Sequence, residues 1–269
     1  MVLFLVIKTA IIYAECQITN FHKREKMKRE QIIKKLIELF QDDDNVYALW
    51  LEGSDATGKV DEYSDIDMCA LIDEDKVDGV FEKIQKGFDI DSVHENRNCD
   101  SEHQLVFHVA NSEKYHVVDF NAYIHGLAGT TFVKNDNIDV CKVIFDRYGA
   151  IQYKEYDADV GAHERMYWEK ESAYRFSQLS RVEKYCLRGL YPEAFIYYQK
   201  YVVEPLVFTL RSKYTPTKIW YYMVHISDHI PQAEVEKLSR ILRVSCVDDI
   251  MENLHFAEEW YQALVNEKQ

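Results

Sequence analysis

The sequence predicts an α+β protein: a mixed sheet with flanking helices, followed by a helical bundle. Three observations carry that reading. Apolar runs of strand length, separated by polar turns, fill the stretch up to about residue 155. From there on the chain is aromatic-rich and repeats its apolar residues at three- and four-residue spacing. Finally, all nine glycines lie at or before Gly189 and all four prolines at or after Pro192, so the two halves are punctuated differently. Strands first and helices after is the pattern of an α+β domain joined to a bundle.

The elements follow in order. Ile32, Ile33, Leu36, Ile37 and Phe40 form one face of an amphipathic helix that starts near Lys28 and is ended by Gln41-Asp42-Asp43-Asp44-Asn45. Val46 to Glu52 and Ile66 to Ile72 are apolar at consecutive positions, as expected of central strands covered on both faces. Residues 75–87 read as a helix with Val77, Val80, Phe81 and Ile84 inward and Gly87 at its end. Strands are predicted at Gln104 to Ala110, Tyr115 to Tyr123 and Lys142 to Phe145, the first two joined by Asn111-Ser112-Glu113-Lys114. Helices are predicted at 157–188, 191–213, 217–229, 231–243 and 246–266, with Gly189 stopping the first and Pro192 in the first turn of the next.

Composition limits function. With 47% hydrophobic and 29% charged residues in 269, the chain is too apolar for disorder and long enough for one large or two modest domains. The formal net charge is −14; residues 1–26 hold +2, so residues 27–269 hold −16. Such a field repels polyanions, which argues against DNA or tRNA as partner and favours a cationic small molecule. The six cysteines (Cys16, Cys69, Cys99, Cys141, Cys186, Cys246) are scattered without a Cys-x-x-Cys pair, which fits reduced thiols in a cytosolic protein. The apolar start, MVLFLVIKTAIIYA, lacks a basic lead-in, is interrupted by Lys8 and is too short to span a membrane.

The chemistry concentrates between the first two strands. Gly53-Ser54 opens the polar turn, and after ten residues Asp65-Ile66-Asp67 closes it. Residues i and i+2 of a strand share a face, so Asp65 and Asp67 present two carboxylates to one side. Left bare they repel each other; a divalent cation with oxygen ligands removes the conflict, and Mg²⁺ typically takes one or two carboxylates plus substrate phosphates. Gly53 lets a phosphate approach the backbone, and Ser54 offers a hydroxyl and an N–H. The alternative is a hairpin with a solvated acidic end.

This arrangement resembles the signature of the nucleotidyltransferase superfamily related to DNA polymerase beta, and most nearly the bacterial enzymes that adenylylate lincosamide and aminoglycoside antibiotics. The resemblance implies that Gly53 and Ser54 hold the triphosphate of ATP or another NTP and that Asp65 and Asp67 bind catalytic Mg²⁺. It further implies a third carboxylate from a later strand. Asp119, a lone acid in the apolar run Tyr115 to Tyr123, stands at that place. Some relatives carry a glutamate base just past this strand, where this chain has His125; the base is then Asp119 or His125. Lys184, four residues before Arg188, is a candidate phosphate contact from the helical half, against the plainer reading of a solvated face. The cations and aromatics of Arg211 to His225 are read as bundle core in preference to a pocket lining. Family members start about one helix before the Gly-Ser turn, so residues 1–26 are read as an extension or a mis-called start at a chain that begins with Met27, in preference to the alternative of an export signal. The domains are then 27–155, catalytic, and 156–269, a helical bundle.

The expected activity is transfer of a nucleoside monophosphate, AMP from ATP, onto a hydroxyl of a small acceptor such as an aminoglycoside or lincosamide. Homodimers occur among relatives, and no nucleic acid or membrane is expected as partner. Two rivals are a protein adenylyltransferase of the toxin–antitoxin kind and a non-catalytic nucleotide-binding regulator. The bundle of over a hundred residues speaks against the first, and the intact acids against the second.

Overall fold

The computed structural model describes residues 26–266, so the expectation for residues 1–26 falls, but for Lys26, outside the described residues. Two compact units divide between Lys154 and Glu155.

The first unit is built on a six-stranded sheet. In chain order its elements are α1 (Arg29–Phe40), β1 (Val46–Leu51), the single-turn α2 (Gly53–Thr57), β2 (Ile66–Ile72), α3 (Val77–Gly87), β3 (Ile90–Cys99), β4 (Glu102–Val109), β5 (Val117–Ile124), β6 (Thr131–Val133), β7 (Lys142–Asp146) and β8 (Gln152–Lys154). The sheet runs β3-β4-β5-β2-β1-β7, while β6 and β8 pair apart as a short parallel ribbon. Within the six strands β2 and β5 are parallel and the other neighbours antiparallel.

The two faces of this sheet have different jobs. One packs Leu49, Leu51, Ile66, Met68, Ala70, Ile72, Leu105, Phe107, Val118 and Phe120 beneath α1 and α3, whose Ile32, Leu36, Phe40, Val80, Phe81 and Ile84 are buried at the helical spacing the sequence shows. The opposite face carries a smaller cluster of Ala48, Trp50, Cys69 and Leu71 with Phe132. Because side chains alternate, that second face also receives Asp67, Asp119 and Asn121.

β3 was not expected. Its sequence, IDSVHENRNC, has no apolar alternation, since it is an edge strand whose side chains are mostly exposed and polar. It pairs with β4 from Ile90↔Val109 to Cys99↔Glu102.

The second unit comprises α4 (Ala158–Phe176), α5 (Ser180–Leu187), α6 (Tyr191–Tyr198), a π-helical turn (Gln199–Val203), α7 (Glu204–Tyr214), a 3₁₀ stretch (Pro216–Tyr221), α8 (Ile226–His229), α9 (Gln232–Leu242) and α10 (Val247–Asn266). Its core gathers Val182, Ala194, Tyr198, Val202, Leu206, Leu210, Ile241, Ile250, Leu254 and Ala257.

The longest predicted helices are broken where side chains compete with the backbone. The Ser177 hydroxyl donates to the Tyr174 carbonyl at 2.7 Å, and the chain turns there between α4 and α5. Pro205 has no N–H to give and crowds the preceding turn, so the helix widens over Gln199–Val203 before α7 begins. The segment expected to be core is mixed: Tyr222 packs against the core but Trp220 is 58% exposed. Arg211, instead of lining a pocket, is wholly buried; it donates to the carbonyls of Tyr222 and Val224 and holds the connection between α7 and α8. Among the described residues no helix is long and apolar enough to cross a membrane.

Candidate active site

The parallel pairing of β2 with β5 sets Asp67 directly beside Asp119. Asp65 lies two residues before Asp67, so strand alternation sends it to the same side. The result is a cluster in which Asp65, Asp67 and Asp119 each offer a carboxylate oxygen, all within 4.8 Å of one another. Asp65 is exposed and the other two are partly buried, so the cluster sits at a mouth rather than in the core.

Crowding shows in the acidities. Burial, then the neighbouring carboxylates of Asp65 and Asp119, then Glu52 and Asp55, push Asp67 up from the usual 3.8 to about 7. Burial and Asp65 also raise Asp119. Three converging carboxylates, with ionisation disfavoured at Asp67 and Asp119, form an all-oxygen set of the kind a hard divalent cation such as Mg²⁺ takes up together with phosphate oxygens.

The Gly-Ser turn closes over this cluster. The Glu52 N–H donates to the Asp67 carbonyl at 3.0 Å, extending the β1–β2 ladder to the turn itself. Gly53 then takes φ +55°, and a Cβ built there would stand 2.1 Å from Asp67 Oδ2. The glycine is therefore required by the acid beneath it, a closer constraint than access for a phosphate. Ser54 sits in the first turn of α2, where backbone N–H groups have no partner inside the helix. Gly58, at φ +72°, ends that turn by donating to the Ser54 carbonyl.

Three features lie outside the predicted set. Arg29, only 5% exposed, pairs with Asp55 in α2 and donates to the Asp65 carbonyl from Nη2 at 2.6 Å. Glu52 accepts from Trp50 Nε1 at 2.7 Å and, as its influence on Asp67 shows, stands close to the cluster. Asn121, one same-face position along β5 from Asp119, has a buried Oδ1 with no hydrogen-bond partner. Arg29 was detectable: it falls three residues before Ile32, in register with the buried face of α1. Nothing in the sequence pattern marks Glu52 or Asn121.

His125 is placed elsewhere. It follows the far end of β5, six residues beyond Asp119 and about 20 Å away along the strand. There its Nδ1 is 3.3 Å from Asp73 Oδ1 and its ring meets that of Tyr47. A group bound among the three acids is out of its reach. Lys184 lies on α5 in the second unit with its ammonium 4.9 Å from the Tyr185 ring centre, and its contact with a phosphate stays an expectation.

Residues 30–121 match the family model of the nucleotidyltransferase domain, a span that takes in Gly53, Ser54, Asp65, Asp67 and Asp119. No curated protein matches the chain in sequence. Among solved structures the chain is similar to an aminoglycoside 6-adenyltransferase from Bacillus subtilis, with 12% identity, a TM-score of 0.34 and 88% of each chain covered. It is also similar to a chain of the GLD-2/RNP-8 complex, with 12% identity, a TM-score of 0.28, and 82% of this chain and 65% of that one covered. Likenesses this distant say nothing of substrate.

Proposed function

We propose, for a chain that carries a nucleotidyltransferase domain, that it moves a nucleoside monophosphate, AMP from ATP, onto a hydroxyl of a small cationic acceptor. The observation that supports this best is the convergence of Asp65, Asp67 and Asp119 within 4.8 Å beneath the Gly53–Ser54 turn.

In this reading the acids hold Mg²⁺, which when bound neutralises charge on the phosphates and on departing pyrophosphate. Ser54 and the first-turn amides of α2 orient the terminal phosphates. Asp119 is the one acid supplied by β5, and in this reading it accepts the proton of the acceptor hydroxyl. As that proton moves to the Asp119 carboxylate, the acceptor oxygen bonds to the α-phosphorus and the bond from that phosphorus to the pyrophosphate oxygen breaks. With Asp65 and Asp67 committed to the nucleotide end, Glu52 on the same sheet face offers a carboxylate to an amine-bearing substrate. The overall charge of −14 favours approach of a cation. Polyhydroxylated amines, aminoglycosides and lincosamides among them, are the class this chemistry fits.

The test is pyrophosphate release from each NTP with Mg²⁺, screened across aminoglycosides, lincosamides and other polyhydroxylated amines. ATP-dependent release with at least one acceptor, abolished in Asp119→Asn, supports the proposal. Nucleotide binding without pyrophosphate release across the panel, or no binding at all, refutes it.

A further inference from the structure

We propose that Arg29 is a positioning residue of this site: one buried guanidinium locks the Gly53–Ser54 turn and the Asp65 end of β2 into a single register. The proposal rests on the nucleotidyl-transfer reading above.

The bonds of Arg29 are divided between two parts of the motif. Nη1 donates to Asp55 Oδ1 at 3.1 Å, and Nη2 contacts the other oxygen of the same carboxylate. Asp55 follows Ser54 in the turn, and its side chain is only 8% exposed. On the other side, Nε donates to the carbonyls of Asp65 at 3.1 Å and Ser64 at 3.3 Å, and Nη2 to that of Asp65 at 2.6 Å. Residues 58–63 between these two ends are exposed throughout. The clamp adds a second tie to the Glu52–Asp67 backbone bond, at the edge where the chain itself connects the turn to β2 through that solvated loop. The anchor itself is rigid, because Arg29 belongs to α1 and the same helix face is buried at Ile32, Leu36 and Phe40.

A purely stabilising ion pair differs from a positioning one in what it demands. Charge alone can be supplied by lysine, but a lysine has no planar fork to serve a carboxylate and two backbone carbonyls at once. Groups that orient a metal ligand through its neighbours typically cost about 10- to 100-fold in metal affinity or activity when removed.

The experiment compares wild type, Arg29→Lys and Asp55→Asn. Each is checked for folding by thermal melting. Mn²⁺ binding in the presence of ATP is measured by electron paramagnetic resonance, and KM for ATP and kcat are measured separately. Folded Arg29→Lys is expected to bind Mn²⁺ about 10- to 100-fold more weakly, with turnover partly restored by excess Mn²⁺, a rescue that a merely structural residue would not show. Wild-type Mn²⁺ affinity and KM in folded Arg29→Lys overturn the proposal. Should that variant not fold, Asp55→Asn decides: it keeps the bonds from Arg29 to the Ser64 and Asp65 carbonyls, so weakened Mn²⁺ binding supports the clamp and unchanged binding overturns it. A wild-type protein that binds no Mn²⁺ with ATP would refute the functional reading itself, and that appears before any variant is compared.

Discussion

Replacing Asp67 by asparagine should make the metal-free protein more stable while destroying metal binding. Asp67 carries its proton up to about pH 7 in the folded state, against the usual 3.8, chiefly because burial and the carboxylates of Asp65 and Asp119 disfavour its charge. A raised acid destabilises the fold once pH exceeds its unfolded value: between about pH 4 and pH 7 the folded chain binds more protons than the unfolded one, so stability falls as pH rises. A rise from 3.8 to about 7 corresponds to about 4 kcal/mol above pH 7, and water at the open side of the cluster brings the expected gain for Asp67→Asn to about 2–4 kcal/mol. The gain should vanish below about pH 4, where both proteins are neutral at this position. Added Mg²⁺ reverses the order once it reaches a thousand times its dissociation constant, where it stabilises wild type by about 4.1 kcal/mol and the variant not at all. Denaturant melts at pH 4 and pH 8, in chelator and in Mg²⁺, give all four numbers. An Asp67→Asn protein no more stable than wild type at pH 8 in chelator would refute the view that mutual repulsion of the acids destabilises the fold.

Gly53→Ala should lose about 1–2 kcal/mol to its left-handed backbone and, by driving a methyl group into Asp67, about 100-fold in turnover, read by melting and pyrophosphate release. His125→Ala should leave kcat and its pH profile as in wild type; a lost acidic limb would return the base to that residue. Arg211→Met should cost about 3 kcal/mol by leaving the Tyr222 and Val224 carbonyls without their donor, and should expose residues 215–229 to protease; an unchanged melt and digest would contradict its anchoring role.

What could be read from the sequence and what could not divide along a physical line. The two-residue period of a strand is local, so the shared face of Asp65 and Asp67 was legible without coordinates. Asp119 was legible as an anomaly, a charge in an apolar run. Its pairing with Asp67, however, depends on β5 lying parallel beside β2, a long-range fact no local pattern encodes. β3 was invisible for the opposite reason: an edge strand protects itself by being polar, which erases the alternation by which strands are recognised. His125 entered only through the resemblance, as the residue at the place of a glutamate base, and its distance from Asp119 follows from the rise of a strand, which separates residues faster than any other regular structure. Arg29 is the instructive case. The spacing Arg29, Ile32, Leu36, Phe40 places a guanidinium on the buried face of a helix. A cation there demands a partner, since burial without one is costly. The sequence thus declares that an acid must come to Arg29. That the acid is Asp55, and that the same guanidinium also holds the Asp65 carbonyl, follows only once the turn is seen to fold back against the start of α1.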